Sequence, residues 1–99
     1  MLYERKVNSL SRLFEELRDL EADEGVRLVA EGKGGKKELV FVTRHPERGY
    51  SLAIRDAKPR NGGGWTPGKK MTFEESSDYR SVREFLKVIV ANPLEAYVY

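Results

Sequence analysis

The hydrophobic pattern of this chain changes its period twice, and those two changes limit the folds that it can adopt. One stripe of apolar residues has the spacing of a helix face: Leu10, Leu13, Phe14, Leu17 and Leu20. This helix is expected to begin near Tyr3 and to end before Gly25, because glycine tolerates the left-handed conformation that often follows a helix. After Gly25 the period becomes two, with Val26 and Leu28 on one strand face.

A second helical period returns after the strands. This helix can open at Ser81, whose spacing to Glu84 matches a capping box, or one turn earlier at Asp78. Its apolar stripe is Val82, Phe85, Leu86 and Ile89. The Asn-Pro pair at 92–93 is expected to end it, because the residue before a proline disfavours the helical conformation. The tail 94–99 alternates like a short strand.

Between the helices, the period of two predicts an antiparallel meander. Its four strands are predicted at 26–31, 39–44, 50–57 and 69–74. The stretches 32–36 and 45–49 read as hairpin turns. The longer stretch 58–68 contains two prolines and a run of three glycines, which break both helices and central strands, so we expect a loop there.

These elements predict one domain over 1–99, a two-layer α+β sandwich. About four strands would carry both helices on one face and leave the other face open. The register of the second strand has two solutions. If Val40 and Val42 face the helices, Phe41 lies on the open face, and in the opposite register Phe41 is core. Tyr50 has the same ambiguity.

Charge is distributed unevenly along the chain. The formal net charge is +2, but residues 26–70 carry +7, while 1–25 carry −3 and 71–99 carry −2. If the fold gathers the middle segment on one face, that face would attract polyanions. The alternative is that the basic side chains only decorate solvent-facing strands and turns.

Several catalytic and binding chemistries lack the residues they need. The chain has no cysteine, which excludes disulfides, cysteine-ligated zinc and thiol nucleophiles. His45 is its one histidine, so histidine pairs are unavailable. The Gly- and Lys-rich stretch 32–37 lacks the ending of a nucleotide-binding P-loop and joins two strands instead of opening a helix.

A metal-dependent nuclease is a minor alternative. Two pairs have the acid-x-Lys spacing of such enzymes: Asp56 with Lys58, and Glu31 with Lys33. A divalent ion would need a further carboxylate at the same place, such as Glu38 or Glu16. We therefore expect no enzyme activity, no cofactor and no metal.

The sequence also indicates where such a protein would work. No apolar run approaches the roughly 20 residues of a membrane-spanning helix, and the N-terminus lacks the apolar stretch of a signal peptide. With the absence of cysteine, this favours a cytoplasmic protein. The chain has no Gln and three Asn, a depletion of thermolabile residues that favours a thermophilic source.

The single tryptophan has an unusual setting. Trp65 lies beside glycines and prolines and among Lys58, Arg60, Lys69 and Lys70. An aromatic side chain on a basic loop is typical of a stacking platform for unpaired bases. The alternative is that Trp65 folds back and plugs one end of the sheet.

The order of a Leu-rich helix, a basic meander bearing aromatic residues, the 58–70 loop and a second helix resembles that of the ThermoDBP-type single-stranded-DNA-binding proteins of thermophilic archaea. The resemblance covers the layout of most of the chain. It implies a cleft of aromatic and basic side chains that takes bases without sequence preference. The residues to which it points are Trp65, Phe41, Arg44, Arg55 and Lys70. This chain has no long heptad tail, so no coiled-coil module is predicted.

The leading hypothesis is a non-enzymatic protein that binds single-stranded nucleic acid without strong sequence specificity. Single-stranded DNA is the first choice of ligand, with RNA as an alternative. Basic strand residues would contact phosphates, and aromatic residues would stack on bases. The candidate nucleic-acid-binding residues are Arg27, Phe41, Arg44, Arg55, Lys58, Arg60, Trp65, Lys69 and Lys70.

Two further possibilities concern proteins as partners. One is a protein-interaction module whose basic face meets an acidic partner. The other concerns the tail 94–99, which alternates apolar residues with a glutamate and two tyrosines and is expected to pair only as an edge strand. Covering both of its faces favours a homodimer through this segment, and the alternative is an intramolecular fifth strand.

Overall fold

Over the residues that it describes, a computed structural model of the protein contains six strands and two helices. The elements are β1 (Arg5–Val7), α1 (Leu10–Asp19), β2 (Gly25–Glu31), β3 (Lys37–His45), β4 (Gly49–Pro59), β5 (Trp65–Ser76), α2 (Tyr79–Ile89) and β6 (Ala96–Val98). The structure describes residues 5–31, 35–45, 49–76, 78–91 and 94–99, and over 69–76 it describes the backbone. The predicted α+β class is confirmed.

All six strands form one curled antiparallel sheet in the order β1-β6-β2-β3-β4-β5. The predicted meander corresponds to β2 through β5, which are neighbours in sequence order. The sheet is wider than predicted, because β1 was not foreseen and β6 joins the sheet as well. The estimate of about four strands is therefore only roughly right.

Both helices pack on the same face of this sheet. Leu13 and Leu17 from α1 and Val82 and Leu86 from α2 belong to one buried cluster. The strands contribute Val7, Val26, Leu28, Ala30, Val40, Val42, Tyr50, Leu52, Ala96 and Val98 to the same cluster. Val40 and Val42 thus face the helices, so β3 adopts the register that puts Phe41 on the open face.

The first helix is shorter than predicted at both ends. Its N-cap is Ser9, whose hydroxyl accepts a hydrogen bond from the backbone N–H of Arg12 at 3.2 Å. Residues nearer the N-terminus form β1 instead. Gly25 is the first residue of β2, not a helix C-cap: a Cβ there would lie 2.6 Å from the Tyr99 ring. Glycine is therefore required at this position, because a Cβ would also lie 2.7 Å from the backbone carbonyl oxygen of Val42, which cannot move aside as a side chain can.

The second helix opens at the earlier of the two predicted positions. Asp78 is its N-cap, and its carboxylate accepts a hydrogen bond from the backbone N–H of Ser81 at 2.7 Å. The Asn-Pro pair expected to end this helix, at 92–93, lies outside the described residues, as do 32–34 and 46–48 within the predicted turns. Within the described ranges, neither helix is long and apolar enough to cross a membrane.

The C-terminal strand lies inside the sheet. β6 pairs with β1 on one side and with β2 on the other, so Val98 has Arg5 and Val26 as its two neighbours. The prediction that this segment pairs only as an edge strand is wrong, and the alternative of an intramolecular strand is the one observed. Its backbone is paired on both sides, and the predicted homodimer through this segment stays a prediction.

The long β4–β5 hairpin was predicted to contain a larger loop. The connection covers only 60–64, because Lys58 pairs with Thr66 and Pro59 pairs with Trp65. Three successive glycines with positive φ, Gly62 to Gly64, make this tight turn possible. The register shifts between Arg55 and Ala57, and this irregularity allows the hairpin tip to curl over the open face.

Candidate nucleic-acid interface

A row of alternating basic and aromatic residues crosses the open face. Tyr97 of β6 lies directly opposite Lys6 of β1 and Arg27 of β2, and Arg27 lies directly opposite Phe41 of β3. Directly opposed residues share a sheet face, and neighbouring strands are about 4.8 Å apart. The register therefore places Lys6, Tyr97, Arg27 and Phe41 side by side. We call these four residues the cross-strand row.

The middle of the row is held by a cation–π contact. The Arg27 guanidinium carbon lies 4.6 Å from the centroid of the Tyr97 ring, within the range of a favourable interaction. Both side chains are partly exposed. A planar guanidinium over an aromatic ring presents a second flat surface, on which an unpaired base can stack as it does on an aromatic ring.

Trp65 stands over the neighbouring part of the face. Its side chain is half-buried and packs against an apolar cluster formed by Val29, Leu39 and Ala91. Its indole Nε1 donates a hydrogen bond to Glu95 Oε2 at 3.2 Å. Trp65 is therefore folded back onto the open face of the sheet, while part of its side chain stays exposed.

A cavity of about 320 Å³ remains beneath the hairpin tip. Val29 and Leu39 contribute its apolar lining, and Trp65 and Tyr97 contribute aromatic rings. Its remaining lining residues are Arg27, Arg60, Gly63, Gly64 and Glu95. We call this space the hairpin cleft. Its volume is at the lower end of the range for sites that bind small ligands, which is enough for a single nucleobase.

Three of the nine predicted site residues line the hairpin cleft: Arg27, Arg60 and Trp65. Phe41 lies next to it in the cross-strand row and packs partly against the Val29 and Leu39 cluster. Arg60 is exposed at the hairpin tip, so its charge is accessible from solvent. The structure thus brings four predicted residues together.

Arg55 lies directly opposite Leu39 on the open face, but its guanidinium is engaged in the fold. Its Nε and Nη2 donate hydrogen bonds to the backbone carbonyl of Gly68 at 3.0 and 2.6 Å. These bonds bridge the irregular part of the β4–β5 pairing. Arg55 therefore helps to shape the hairpin that covers the cleft.

Two other predicted residues lie away from the cleft. Arg44 is placed over the Tyr50 ring, 4.8 Å from its centroid, on the face that carries the helices. Lys58 is exposed on the hairpin, and its Cε lies 3.4 Å from the position of a Cβ at Gly68. For Lys69 and Lys70 the described part of the structure is the backbone, so their predicted contacts fall outside it.

Two residues of the cleft were missed by sequence reasoning. Glu95 and Tyr97 belong to the alternating tail, which was interpreted as a subunit contact. The alternation itself was a correct signal, because it puts Glu95, Tyr97 and Tyr99 together opposite the buried Ala96 and Val98. The sequence pattern did not show that the tail pairs with β1 and β2.

Of the two acid-x-Lys pairs, Asp56 with Lys58 lies within the described residues, and Lys33, the partner of Glu31, lies outside them. Asp56 lies directly opposite Glu38 across β3 and β4, and the Glu31 carboxylate forms an ion pair with Lys37. Over the described ranges, no three His, Cys, Asp or Glu side chains are grouped so that they could hold a metal ion.

No family model, curated protein or solved structure matches the chain. The resemblance to the ThermoDBP-type proteins therefore stays a prediction, and a functional assignment has to be argued from the open face itself.

Proposed function

We propose that the protein binds single-stranded nucleic acid, in the first place single-stranded DNA, on its open face. The observation that carries this proposal is the cross-strand row, which alternates cations and aromatic rings, beside a cleft that contains Trp65. A single strand offers the same alternation, since each nucleotide supplies a phosphate and a flat base. The proposed role is binding without a chemical step.

Stacking supplies the affinity for bases. Each stack of a base on an aromatic side chain contributes about 1–3 kcal/mol, and it tolerates any sequence because every base has a π-face. Phe41 and Tyr97 are partly exposed on a sheet, which holds them at fixed positions. The conformational entropy lost on binding is therefore mainly that of the nucleic acid.

Phosphate contacts come from the two margins of the binding surface. Lys6 is exposed at the β1 end of the cross-strand row, and Arg60 is exposed at the hairpin tip. A single-stranded nucleic acid that runs from Lys6 to Arg60 passes over Tyr97 and Arg27. Such contacts release counterions, so affinity falls with salt by a log–log slope of about −0.7 per phosphate contacted on a single strand.

A module for an acidic protein partner is the competing function. It would use the same cations, but it gives no role to a cleft that contains both Trp65 and Tyr97. Bases fill such a space, whereas the carboxylates of an acidic peptide do not. The aromatic lining therefore favours nucleic acid.

The test is the binding of fluorescently labelled oligonucleotides, single-stranded and duplex, measured by anisotropy over a range of salt concentrations. We expect single strands to bind more tightly than duplexes. Arg60→Ala should weaken binding several-fold and reduce the steepness of the salt slope by about 0.7, because one phosphate contact is lost. Arg80→Ala is the matched control: it removes the same charge from an exposed position on α2.

Two results would reject the proposed function. One is no measurable binding of any oligonucleotide at low salt. The other is an equal effect of Arg60→Ala and Arg80→Ala, since that would show a response to net charge and not to the open face.

A further inference from the structure

Glu95 is an acidic residue on a surface proposed to bind a polyanion. Its carboxylate lines the hairpin cleft together with Arg27 and Arg60 and is half-buried there. A carboxylate repels phosphate, so Glu95 can contact a bound nucleic acid only through groups that donate hydrogen bonds. The donors that a nucleic acid strand can offer are the N–H groups of its bases.

Part of this carboxylate is engaged within the protein. Oε2 accepts the hydrogen bond from the Trp65 indole at 3.2 Å, and within the described part of the chain this is its one side-chain donor. An ionised carboxylate has about four acceptor positions on its two oxygens. Glu95 can therefore hold Trp65 in place and still accept hydrogen bonds from a ligand in the cleft.

The four bases differ in what they offer to such a group. Guanine presents two adjacent donors on its Watson–Crick edge, N1–H and the N2 amino group, which match the two oxygens of a carboxylate. Adenine and cytosine place an acceptor nitrogen beside their amino group, and thymine and uracil place a carbonyl on each side of one N–H. A carboxylate repels each of these acceptor atoms.

The cations of the cleft complete the match. Guanine also carries acceptors at O6 and N7, and arginine is the side chain that most often donates to them. Arg60 and Arg27 line the same cleft as Glu95, so cationic donors and a carboxylate acceptor surround the space for one base. Trp65 and Tyr97 provide aromatic surfaces for its ring.

We propose that the hairpin cleft holds one guanine base of the bound strand, with Glu95 accepting hydrogen bonds from its Watson–Crick edge. This inference rests on the proposed function and adds a preference for one base at one position. The remaining bases would stack along the cross-strand row without selection. The protein would thus bind any single strand and bind those that contain guanine more tightly.

The experiment compares oligothymidylates that carry one central guanine, hypoxanthine, adenine or thymine, titrated into the 99-residue chain. Hypoxanthine keeps N1–H and O6 and lacks the N2 amino group. We expect guanine to bind about fivefold or more tightly than hypoxanthine, as a well-formed pair of hydrogen bonds to a base edge commonly gives. Free guanosine monophosphate should bind much more weakly than the oligomer, because it lacks the neighbouring nucleotides.

Two variants test whether Glu95 is the residue that causes the preference for guanine. Glu95→Gln keeps an oxygen to accept from Trp65 but replaces the second oxygen by an amino group, so the ratio of guanine to hypoxanthine affinity should fall to about one. Glu84→Gln makes the same change of charge on the exposed side of α2 and should leave the ratio unchanged. The ratio is the readout, because removing a negative charge strengthens the binding of every oligomer.

The inference is overturned if guanine and hypoxanthine bind equally, or if the preference survives in Glu95→Gln. Tight binding of free guanosine monophosphate would overturn it as well, since the cleft would then be a mononucleotide site. Equal, salt-dependent binding of all four oligomers would reject the guanine preference and leave the proposed function standing. No binding of any oligomer would reject both.

Discussion

At the scale of single residues, Tyr50 joins the sheet to α1. Its ring is buried in the main cluster, and its hydroxyl donates a hydrogen bond to the carbonyl of Leu17 at 2.8 Å. Leu17 lies in the last turn of α1, where carbonyls have no helical N–H partner. The Tyr50 hydroxyl thus satisfies a buried backbone group that would otherwise be unpaired.

Tyr50→Phe should therefore destabilise the protein by about 1–3 kcal/mol, the cost of leaving a buried carbonyl without a donor. Tyr79→Phe is the matched variant. The Tyr79 hydroxyl donates to the carbonyl of Phe14 at 3.0 Å, but Phe14 lies inside α1 and has a helical partner, so the loss should be smaller. Urea denaturation of both variants measures the difference. Equal losses would contradict this explanation.

At the scale of elements, β1 and α1 are connected by one carboxylate. Glu16 accepts hydrogen bonds from Arg5 of β1 at 2.6 and 3.0 Å, and it also pairs with Arg12 one turn earlier in the helix, at 2.9 Å. The hydrogen bond from Arg5 lowers the pKa of Glu16 below its ordinary value, against the opposing effect of burial. The charged form of Glu16 is therefore favoured by folding.

This lowered pKa predicts a loss of stability in acid. The stabilisation is fully present above the pKa of an unfolded glutamate, about 4.3, and it disappears as the pH falls through the lower value of the folded protein. Glu16→Gln should lower the melting temperature at neutral pH, and its difference from the parent should vanish in acid. Glu15→Gln, at an exposed position that pairs with Arg12, should have little effect. A Glu16→Gln difference that stays constant with pH would contradict the prediction.

The same elements show what the sequence could predict. The apolar periods located α2 and β2 to β4 within a few residues, because each of these elements buries one face against the core. They located α1 by its apolar stripe, but the predicted start near Tyr3 lies well before Leu10. β1 was missed because three residues are too few to show a period, and they were assigned to the helix that follows. The stretch expected to be a loop contains the start of β5, where prolines and glycines are tolerated at the sheet edge and in the irregular register.

At the scale of the whole molecule, the candidate site is assembled from distant parts of the sequence. Arg27 comes from β2, Trp65 from the start of β5, and Glu95 and Tyr97 from the C-terminal segment. Composition identified the basic and aromatic residues of the middle segment as candidates. It could not identify Glu95 and Tyr97, because only the insertion of β6 between β1 and β2 brings them to the open face.

The central claim is that unpaired bases enter the hairpin cleft beside Trp65. Because the chain has one tryptophan, its selectively excited fluorescence reports on this cleft alone. We predict that single-stranded oligonucleotides quench this emission saturably, with the same affinity that anisotropy of the labelled strand measures, and that a duplex of the same sequence does not. Binding detected by anisotropy without any change in Trp65 emission would contradict the account, because the strand would then bind elsewhere on the molecule.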